Sequence, residues 1–466
     1  MNDHTIIRRL SIISVCLLAA CAPFGKQSPL ETPTAYSLPQ GNTLTIARAD
    51  WWQQLGNAKL NRLIEQALAT SPDLRAVKAR FEQAQAQLGI TEAATKTQIG
   101  LTARGAGVYV SPKPTSLQGD TDHTLDLANI ALQGSWSFDF WGKNRAEVAA
   151  VLGKRQATAY EFEQSRLSLA QAVAAQYFAW QGLSAQRQII EQRIANSAAL
   201  ENLLAQRVRA KLLPGNAVYT AQLAQQQLKA QLLQIDRNIA RVRHALATLS
   251  GQSPNTFDTQ TPAAMKKAPM LKTSKIYADF LGGRPDIAAQ RSLLESRLQN
   301  IKVAKASFYP NIELKLLAGM SHIDAFNVIS GKNSGMLGIL PAINLPLFTS
   351  GALQSQLAAR NAEYNEQVAV YDRTVLNAMR SAADALSDYE TLNAQTDLQN
   401  RAVQTSAKAA SSSLRRVGAG LENKADYLQK QDQVLQMKLQ SVQSEADLLT
   451  AWSNVHAQLG GGFRAE

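Results

Sequence analysis

The spacing of apolar residues predicts long helices that pack side by side. Three stretches carry apolar residues at alternating intervals of three and four, or at every seventh position. That spacing forms one apolar stripe on a helix and is typical of knobs-into-holes packing. Most positions between them are Gln, Ala, Ser, Asn or charged residues, which suits helices that face water on the other side. The stripes are Leu228, Leu232, Ile235, Ile239, Val242, Leu246 and Leu249; Tyr364, Val368, Tyr371, Val375, Ala378 and Ala382; and Leu421, Leu428, Leu435, Val442 and Leu449.

Two other segments alternate with period two, which predicts β-strands. Alternation over about ten residues fits a tilted membrane strand, with apolar side chains toward lipid and polar ones toward a lumen. A half-buried strand of a soluble sheet alternates in the same way, so the pattern alone is a weak signal. The apolar faces would hold Leu132, Gly134, Trp136, Phe138 and Phe140, and Ile312, Leu314, Leu316, Ala318 and Met320. Aromatic residues on or near the strand ends would lie at the membrane interfaces; they are Tyr109, Trp136, Trp141 and Phe348.

The order of these elements occurs twice. Pro72-Asp73-Leu74 and Pro285-Asp286-Ile287 open similar helical stretches and lie 213 residues apart, while Tyr219 and Tyr427 pair at a separation of 208. Ser71 is predicted to cap the first of these helices, with Pro at the first helical position. Each half therefore reads helix, hairpin, helix, helix, with hairpins at about 98–141 and 311–348.

The first 20 residues resemble a bacterial lipoprotein signal peptide. Arg8 and Arg9 form a positive n-region, and the apolar run 10–18 is too short to span a membrane as a helix. The run ends in Leu18-Ala19-Ala20-Cys21, which looks like a lipobox; a generic secretory peptide that contains a Cys is the alternative. The resemblance implies cleavage before Cys21, two acyl chains sufficient for stable anchoring, and, from Ala22, sorting to the outer membrane.

Composition and the repeat predict how the chain is divided. Four prolines lie within the Pro-, Ser- and Thr-rich stretch after Cys21, which predicts an extended tether, and the adjacent Trp51-Trp52 is expected to pack the tether against the body rather than bind a ligand. The predicted divisions are a signal peptide at 1–20, a tether and equatorial segment at 21–56, a first repeat at 57–250, a linker at 251–282, a second repeat at 283–460 and a tail at 461–466.

Charge does not point to nucleic acid as a partner. The chain has 48 Lys and Arg against 36 Asp and Glu, a net charge of +12. Removal of residues 1–20 deletes Arg8, Arg9 and Asp3, which leaves 46 against 35, or +11. The charges are scattered along helices without a run of five like charges, as expected for solvated helix faces.

Candidate catalytic and metal-binding residues are few. The two cysteines are Cys16, in the removed peptide, and Cys21, so the mature chain would have no disulfide and no Cys-based metal site. The remaining histidines, His123, His244, His322 and His456, do not have metal-ligand spacing. We therefore expect neither an enzyme nor a cofactor, and any energy that the protein uses would come from a partner.

The predicted strands constrain the assembly. Four strands cannot close a barrel, and open edges in lipid would leave backbone groups unpaired at a cost of several kcal/mol each. The chain must then share its strands with other copies. Two copies would form an eight-strand barrel filled by its own side chains, whereas three would form a twelve-strand barrel with room for a lumen.

The chain resembles TolC-type outer-membrane factors, in the lipoprotein branch called NodT. The residues that carry the resemblance are Trp51-Trp52, Phe138-Asp139-Phe140-Trp141-Gly142, Arg284-Pro285-Asp286-Ile287, Ala304-Lys305-Ala306-Ser307-Phe308-Tyr309-Pro310, and Pro346-Leu347-Phe348 with Gly351. The resemblance implies a mainly α-helical fold with a membrane β-barrel. It implies a homotrimer in which each chain adds four strands to a twelve-strand barrel and long helices to a periplasmic tunnel. It also implies contact with outer-membrane lipid, a periplasmic adaptor (membrane-fusion) protein and an inner-membrane pump, expected to be of the RND type.

The resemblance also locates a gate where helices meet at the periplasmic tip. Breaks in the helical pattern at Pro214-Gly215 and at Gly418 to Gly420 predict two helix-to-helix turns. Asp426 falls at the position of an acidic ring in the family, and Gln429 at a second position that is usually acidic. A ring of carboxylates would bind cations, although an Asp in the first turn of a helix is also favoured by the helix dipole.

Three positions depart from the pattern. Thr97 lies where the second repeat has Pro310, and Arg416 replaces the Tyr of the usual tip motif. Val218 pairs with Asp426 at the separation of 208, so the acidic residue belongs to the second repeat alone.

The predicted function is a passive exit duct that carries drugs or other small molecules from the periplasm to the exterior. Two alternatives remain open, namely a duct for type I protein secretion and a lipid-anchored periplasmic coiled-coil scaffold.

Overall fold

A computed structural model describes residues 24–35, 49–110, 123–271, 282–323 and 335–464. The helices are α1 (Ala58–Thr70), α2 (Pro72–Ala94), α3 (Lys143–Arg209), α4 (Asn216–Leu249), α5 (Pro285–Ala306), α6 (Ala352–Gly418) and α7 (Lys424–Gln458). The strands are β1 (Gln98–Val110), β2 (His123–Phe138), β3 (Asn311–Ile323) and β4 (Gly335–Asn344), and 3-10 turns span Trp51–Leu55 and Pro254–Phe257. The predicted order of helix, hairpin, helix, helix is confirmed in both halves, and α3 and α6 each contain 67 residues.

The described residues belong to two compact units that interleave along the chain. The sheet unit draws on the ranges Met1–Pro33, Glu82–Thr158 and Gln290–Tyr371. The helical unit draws on Thr34–Phe81, Ala159–Ala289 and Asp372–Glu466. Among the helices of the described residues, none combines the length and the apolar character that crossing a lipid bilayer would require.

The four strands form one antiparallel sheet in the order β1-β2-β3-β4. β2 and β3 come from different repeats, yet they pair along their length, with Trp136 opposite Leu314 and Leu132 opposite Ala318. β1 and β4 are therefore the two edges. Pro341 lies in β4, where the absence of a backbone N–H is tolerated because the strand is an edge.

The register confirms the predicted faces of the sheet. Ile99, Gly134, Leu316 and Ile339 lie side by side across the four strands, and the rows on either side repeat this apolar character. The opposite face carries Gln98, Thr102, Arg104, Asn129, Gln133, Ser135, Ser137, Glu313 and Lys315. Ile99 is 72% exposed and Leu337 87% exposed. A broad apolar surface is therefore uncovered on this chain.

The end of β2 corrects one detail of the prediction. Asp139 and Phe140, expected to continue the alternation, lie beyond the last strand residue, Phe138. The Asp139 carboxylate accepts hydrogen bonds from the backbone N–H groups of Asn144 (2.9 Å) and Arg145 (3.0 Å) at the start of α3. These bonds satisfy N–H groups that have no partner within the helix. Asp139 therefore caps α3 instead of continuing β2.

The two helix starts predicted at proline are confirmed, but they are held in different ways. Ser71 precedes α2, but its buried hydroxyl makes no hydrogen bond with the described residues, so the prediction that its side chain caps the helix is wrong. Arg284, at the corresponding place before α5, forms a bidentate pair with Asp286 (3.0 and 2.8 Å) and also donates to the carbonyl of Gln458. The Arg-Pro-Asp motif thus joins the start of α5 to the end of α7.

The core of the helical unit forms around Trp51, which is fully buried. Its ring lies 5.6 Å from those of Trp52 and Trp452 and stacks on His456 at 5.7 Å. This confirms that the tandem tryptophans pack inside the body and do not form an exposed ligand platform. The sheet unit has a smaller core of Ile301, Ala304, Phe308 and Leu357.

The predicted helical stripes are largely confirmed. Leu228, Ile235, Ile239 and Leu246 are buried on α4, as are Val368, Val375, Ala378 and Ala382 on α6, and Leu428, Leu435 and Leu449 on α7. Leu421 is the exception, because it lies in the turn before α7 and is 71% exposed.

Candidate functional site at the helical turns

Two turns join the long helices of the helical unit. The first turn, residues 210–215, connects α3 to α4, and the second turn, residues 419–423, connects α6 to α7. Both begin in the same way: the N–H of Leu212 donates to the carbonyl of Arg207 (2.9 Å), and that of Leu421 donates to the carbonyl of Arg416 (2.8 Å). In each case the N–H bonds to the carbonyl five residues earlier. Such a bond ends a helix when the residue before the donor has a left-handed backbone conformation, with positive φ.

The left-handed residue is not the one that sequence reasoning singled out in the first turn. Lys211 has φ 59° there, and Gly420 has φ 72° in the second turn. Gly215 has φ −60°, so its glycine is not required by backbone conformation. Gly418 is the last residue of α6. Pro214 and Gly215 therefore lie in the turn as predicted, but Lys211 provides the reversal.

The hydrogen bonds at the start of α4 and α7 agree with the pairing read from the sequence. The N–H of Val218 donates to the carbonyl of Gly215, and the N–H of Asp426 donates to the carbonyl of Asn423. Gly215 and Asn423 are the residues immediately before the two helices. Val218 therefore corresponds to Asp426, and the first turn lacks a carboxylate at this position.

Asp426 and Gln429 both lie on the exposed side of α7, while Ala425 and Leu428 next to them are buried. Within the described part of the chain, the Asp426 carboxylate has no ion pair or side-chain hydrogen bond. The face that carries the two predicted constriction residues is thus uncovered on this chain and can meet water, an ion or another copy.

A second carboxylate, missed by sequence reasoning, organises the second turn. The side chain of Glu422 is 10% exposed, and its Oε1 accepts hydrogen bonds from Lys430 (2.6 Å) and Ser413 (2.6 Å). Arg416 lies 3.5 Å from Oε2. The bonds from Lys430 and Ser413 hold the pKa of this carboxyl below its ordinary value, and the charges of Lys430 and Arg416 lower it further. Arg416, which lies where the usual tip motif of the family has Tyr, therefore belongs to this network of charges around Glu422.

Three contacts fasten α3 to α7 beside the turns. Arg207 donates to the side-chain oxygen of Asn423 (2.5 Å), which also caps α7 through the N–H of Ala425 (3.0 Å). Asn196 donates to the carbonyl of Leu428 (2.8 Å). Arg193 pairs with Asp432. The turn of the second repeat is thus held by a helix of the first repeat.

The remaining sequence predictions have different outcomes. Cys21 lies outside the described residues. Within the described ranges, no group of three or more His, Cys, Asp or Glu side chains is placed to hold a metal ion. His456 is buried in the core, with neither ring nitrogen bonded to a described residue.

Comparison with known proteins gives consistent matches. A family model described as outer membrane efflux protein matches residues 63–252 and again 276–461. The chain is 26% identical over 492 residues to multidrug resistance outer membrane protein MdtP of Escherichia coli K12, covering 99% of this chain and 98% of the relative. It is 27% identical over 470 residues to multidrug resistance outer membrane protein MdtQ of Escherichia coli O6:H1, covering 96% of each.

Solved structures have the same fold. The outer membrane protein VceC of Vibrio cholerae aligns with a TM-score of 0.79 and 29% identity, over 90% of this chain and 100% of that chain. The CmeC outer membrane channel of Campylobacter jejuni aligns with a TM-score of 0.83 and 21% identity, over 94% of this chain and 95% of that chain.

Proposed function

Because the chain belongs to the outer membrane efflux protein family, we propose that it forms the passive exit duct of a tripartite efflux system for drugs or other small molecules. Membership of the family makes it an outer-membrane efflux protein and not an enzyme. The observation that supports the duct is a single sheet with one apolar and one polar face, joined to helices of 67 residues.

The sheet edges support a closed homotrimer. Among the strands that the structure describes, β1 and β4 are both unpaired along one side, and an apolar sheet in lipid cannot leave such edges open. Pairing β4 of one copy with β1 of the next is a head-to-tail contact, which forms a ring when the rotation closes. Three copies provide the twelve strands at which a lumen becomes possible.

Contacts of residues 24–35 support the lipid anchor at Cys21. The ring of Phe24 lies 4.8 Å from that of Phe308, just before β3. Farther along, Asn365 of α6 donates to the carbonyl of Pro29 (3.1 Å) and accepts from the N–H of Glu31 (3.0 Å). Three residues of extended chain span at most about 11 Å. An acylated Cys21 would therefore be kept close to the end of the sheet.

We place the gate at the turns of the helical unit. Asp426 and Gln429 from three copies would surround a narrow axis, where three carboxylates attract cations and repel anions. The exposed apolar side chains of the two turns, Leu212 and Leu421, are available to a periplasmic adaptor protein. Energy would be supplied by an inner-membrane pump, for which we propose the RND type.

The two repeats are proposed to span 57–250 and 283–460, and matches of one family model to 63–252 and 276–461 support this division. The segments outside them would be the signal peptide, the tether, the linker at 251–282 and the tail.

Conductance in a planar bilayer tests the duct and its gate. Purified protein is expected to insert in single conductance steps, and Asp426→Ala is expected to weaken block by divalent cations. Gln429→Ala is the matched control, since it alters the same exposed face without removing charge. Assembled protein that never conducts would favour the coiled-coil scaffold. Unchanged cation block in Asp426→Ala would remove the proposed gate but leave the duct.

The cargo is tested in cells. Deletion is expected to raise sensitivity to drugs while the set of secreted proteins stays the same. The opposite result would favour type I protein secretion.

A further inference from the structure

The apolar face of the sheet has a trough near the end of β2. Gly134 has no side chain, while Ile99 and Leu316 beside it rise from the neighbouring strands. The resulting groove has a volume of about 360 Å³, and it is lined mainly by Thr97, Ile99, Leu132, Gly134, Leu316 and Ile339. Apart from Thr97, the side chains that line it are apolar, so it suits an acyl chain rather than a polar ligand.

A second groove, of about 440 Å³, lies in the same unit, at the end of β2 that carries the trough. Lys96 and Trp136 line it. Lys96 directly precedes the trough residue Thr97, and Trp136 lies two residues after Gly134, on the same face of β2. The rings of Trp136 and Phe138 lie 4.3 Å apart. The apolar trough and a groove with aromatic walls thus lie near each other at one end of β2, the arrangement expected at a membrane interface.

Some charged side chains of the second groove are already paired, and others are not paired with any described residue. Asp139 is already bonded to two N–H groups of α3 and to Nε of Arg145 (3.1 Å), and the Arg145 side chain remains 77% exposed. Glu92 and Lys96 are both exposed. Neither side chain is bonded to the other or to a further residue in the ranges that the structure describes. The groove therefore offers one free anion and one free cation.

We propose that the two grooves together bind one phospholipid of the ethanolamine class from the periplasmic leaflet. The lipid phosphate lies against Lys96 and the exposed edge of Arg145, the ammonium group against Glu92, and one acyl chain in the Gly134 trough. An anionic lipid without an ammonium group would leave Glu92 unpaired beside a phosphate. This proposal rests on the proposed function, because the apolar face must lie in the membrane.

Lipid titration of the assembled, delipidated protein by native mass spectrometry tests the site. The probes are dioleoyl phosphatidylethanolamine and dioleoyl phosphatidylglycerol. One charge contact near a membrane surface contributes about 1 kcal/mol, or roughly a fivefold change in affinity. Glu92→Gln is expected to lose about fivefold for phosphatidylethanolamine only. Lys96→Gln is expected to weaken both lipids about fivefold, and Lys96→Arg to retain wild-type binding of both.

The trough has a matched control on the other face of the sheet. Gly134→Leu fills the trough and is expected to weaken both lipids, whereas Gly100→Leu, where an added Cβ meets nothing within 4 Å, is expected to weaken neither. Equal affinity of the wild type for the two lipids, or identical binding by Gly134→Leu and Gly100→Leu, would overturn the site. Conductance of the same samples separates this failure from failure of the duct, since the duct does not depend on which lipid binds.

Discussion

Arg193 of α3 and Asp432 of α7 form a bidentate ion pair, with Nε–Oδ1 at 2.9 Å and Nη2–Oδ2 at 2.8 Å. The two residues are 239 positions apart and belong to different repeats. The Arg193 side chain is 15% exposed and that of Asp432 is 34% exposed. The pair therefore joins the repeats at a half-buried contact, where a two-bond geometry is stronger than a single surface pair.

Breaking this pair is expected to loosen α7 from α3. Asp432→Asn should lower the free energy of unfolding by about 1 to 2 kcal/mol, because Arg193 keeps its charge without a partner. Urea unfolding of the wild type, Asp432→Asn, Arg193→Gln and the double variant gives a double-mutant cycle, which measures the coupling energy between the two side chains. A coupling energy near zero would show that the two side chains do not interact in solution.

Substitutions at the left-handed residues of the two turns, Lys211 and Gly420, are expected to change the stability in opposite directions. Gly420→Ala should destabilise by about 1 kcal/mol, whereas Lys211→Gly should stabilise by up to about 1 kcal/mol, since a non-glycine residue in this conformation is strained. Thermal unfolding checks both. Gly215→Ala is the control, because φ is negative there and an added Cβ meets nothing within 4 Å. A loss of stability in Lys211→Gly would contradict the strain argument.

Glu422→Gln is expected to loosen the second turn. The amide keeps the shape of the side chain but cannot form ion pairs with Lys430 and Arg416. Hydrogen exchange at residues 419–425 should become faster, and the melting temperature should fall. Glu65→Gln, on the exposed side of α1, serves as the control.

The same carboxylate has a pH dependence with a definite sign. Its pKa is lower in the folded protein than in the unfolded chain, so the stability that it contributes is present above the ordinary carboxyl pKa of 4.5 and is lost as the pH falls below that value. The difference in melting temperature between wild type and Glu422→Gln should therefore shrink under acidic conditions. A difference that grows would reverse the sign and refute the assignment.

Burial of His456 is expected to cause a second loss of stability in acid. Burial lowers its pKa from 6.5 to about 4, because the charged ring would leave water without a partner. The unfolded chain then binds the proton more readily than the folded chain. Stability should be complete above pH 6.5 and decline as the pH falls toward 4, by about 3 kcal/mol in total.

Urea unfolding at several pH values measures this decline. His456→Phe, which keeps an aromatic ring between Trp51 and Trp452, should remove most of the slope between pH 6.5 and 4. His244→Gln alters an exposed histidine and should leave the slope unchanged. An identical slope in His456→Phe would assign the pH dependence to other groups.

Periodicity alone determined the elements and their exposed or buried faces. The stripe from Leu228 to Leu246 and the alternation from Leu132 to Phe138 predicted a helix and a strand, and both are confirmed. Each pattern repeats at the period of its own backbone, so it specifies which side is apolar without reference to distant residues. The repeat likewise determined the order of elements, because each half carries the same patterns.

Which residues contact each other across the fold was decided only by the tertiary structure. No local pattern indicates that Glu422 would be enclosed by Ser413, Lys430 and Arg416, or that Arg193 would meet Asp432. A helix stripe specifies that a face is covered, but the residue that covers it depends on how helices far apart in sequence align. Lys211 shows the same limit, since its left-handed backbone is imposed by the helix end that it closes rather than by its own preference. Sequence thus determined the periods and the repeat, and packing chose the contacts that hold the turns, because those contacts arise only when distant helices align.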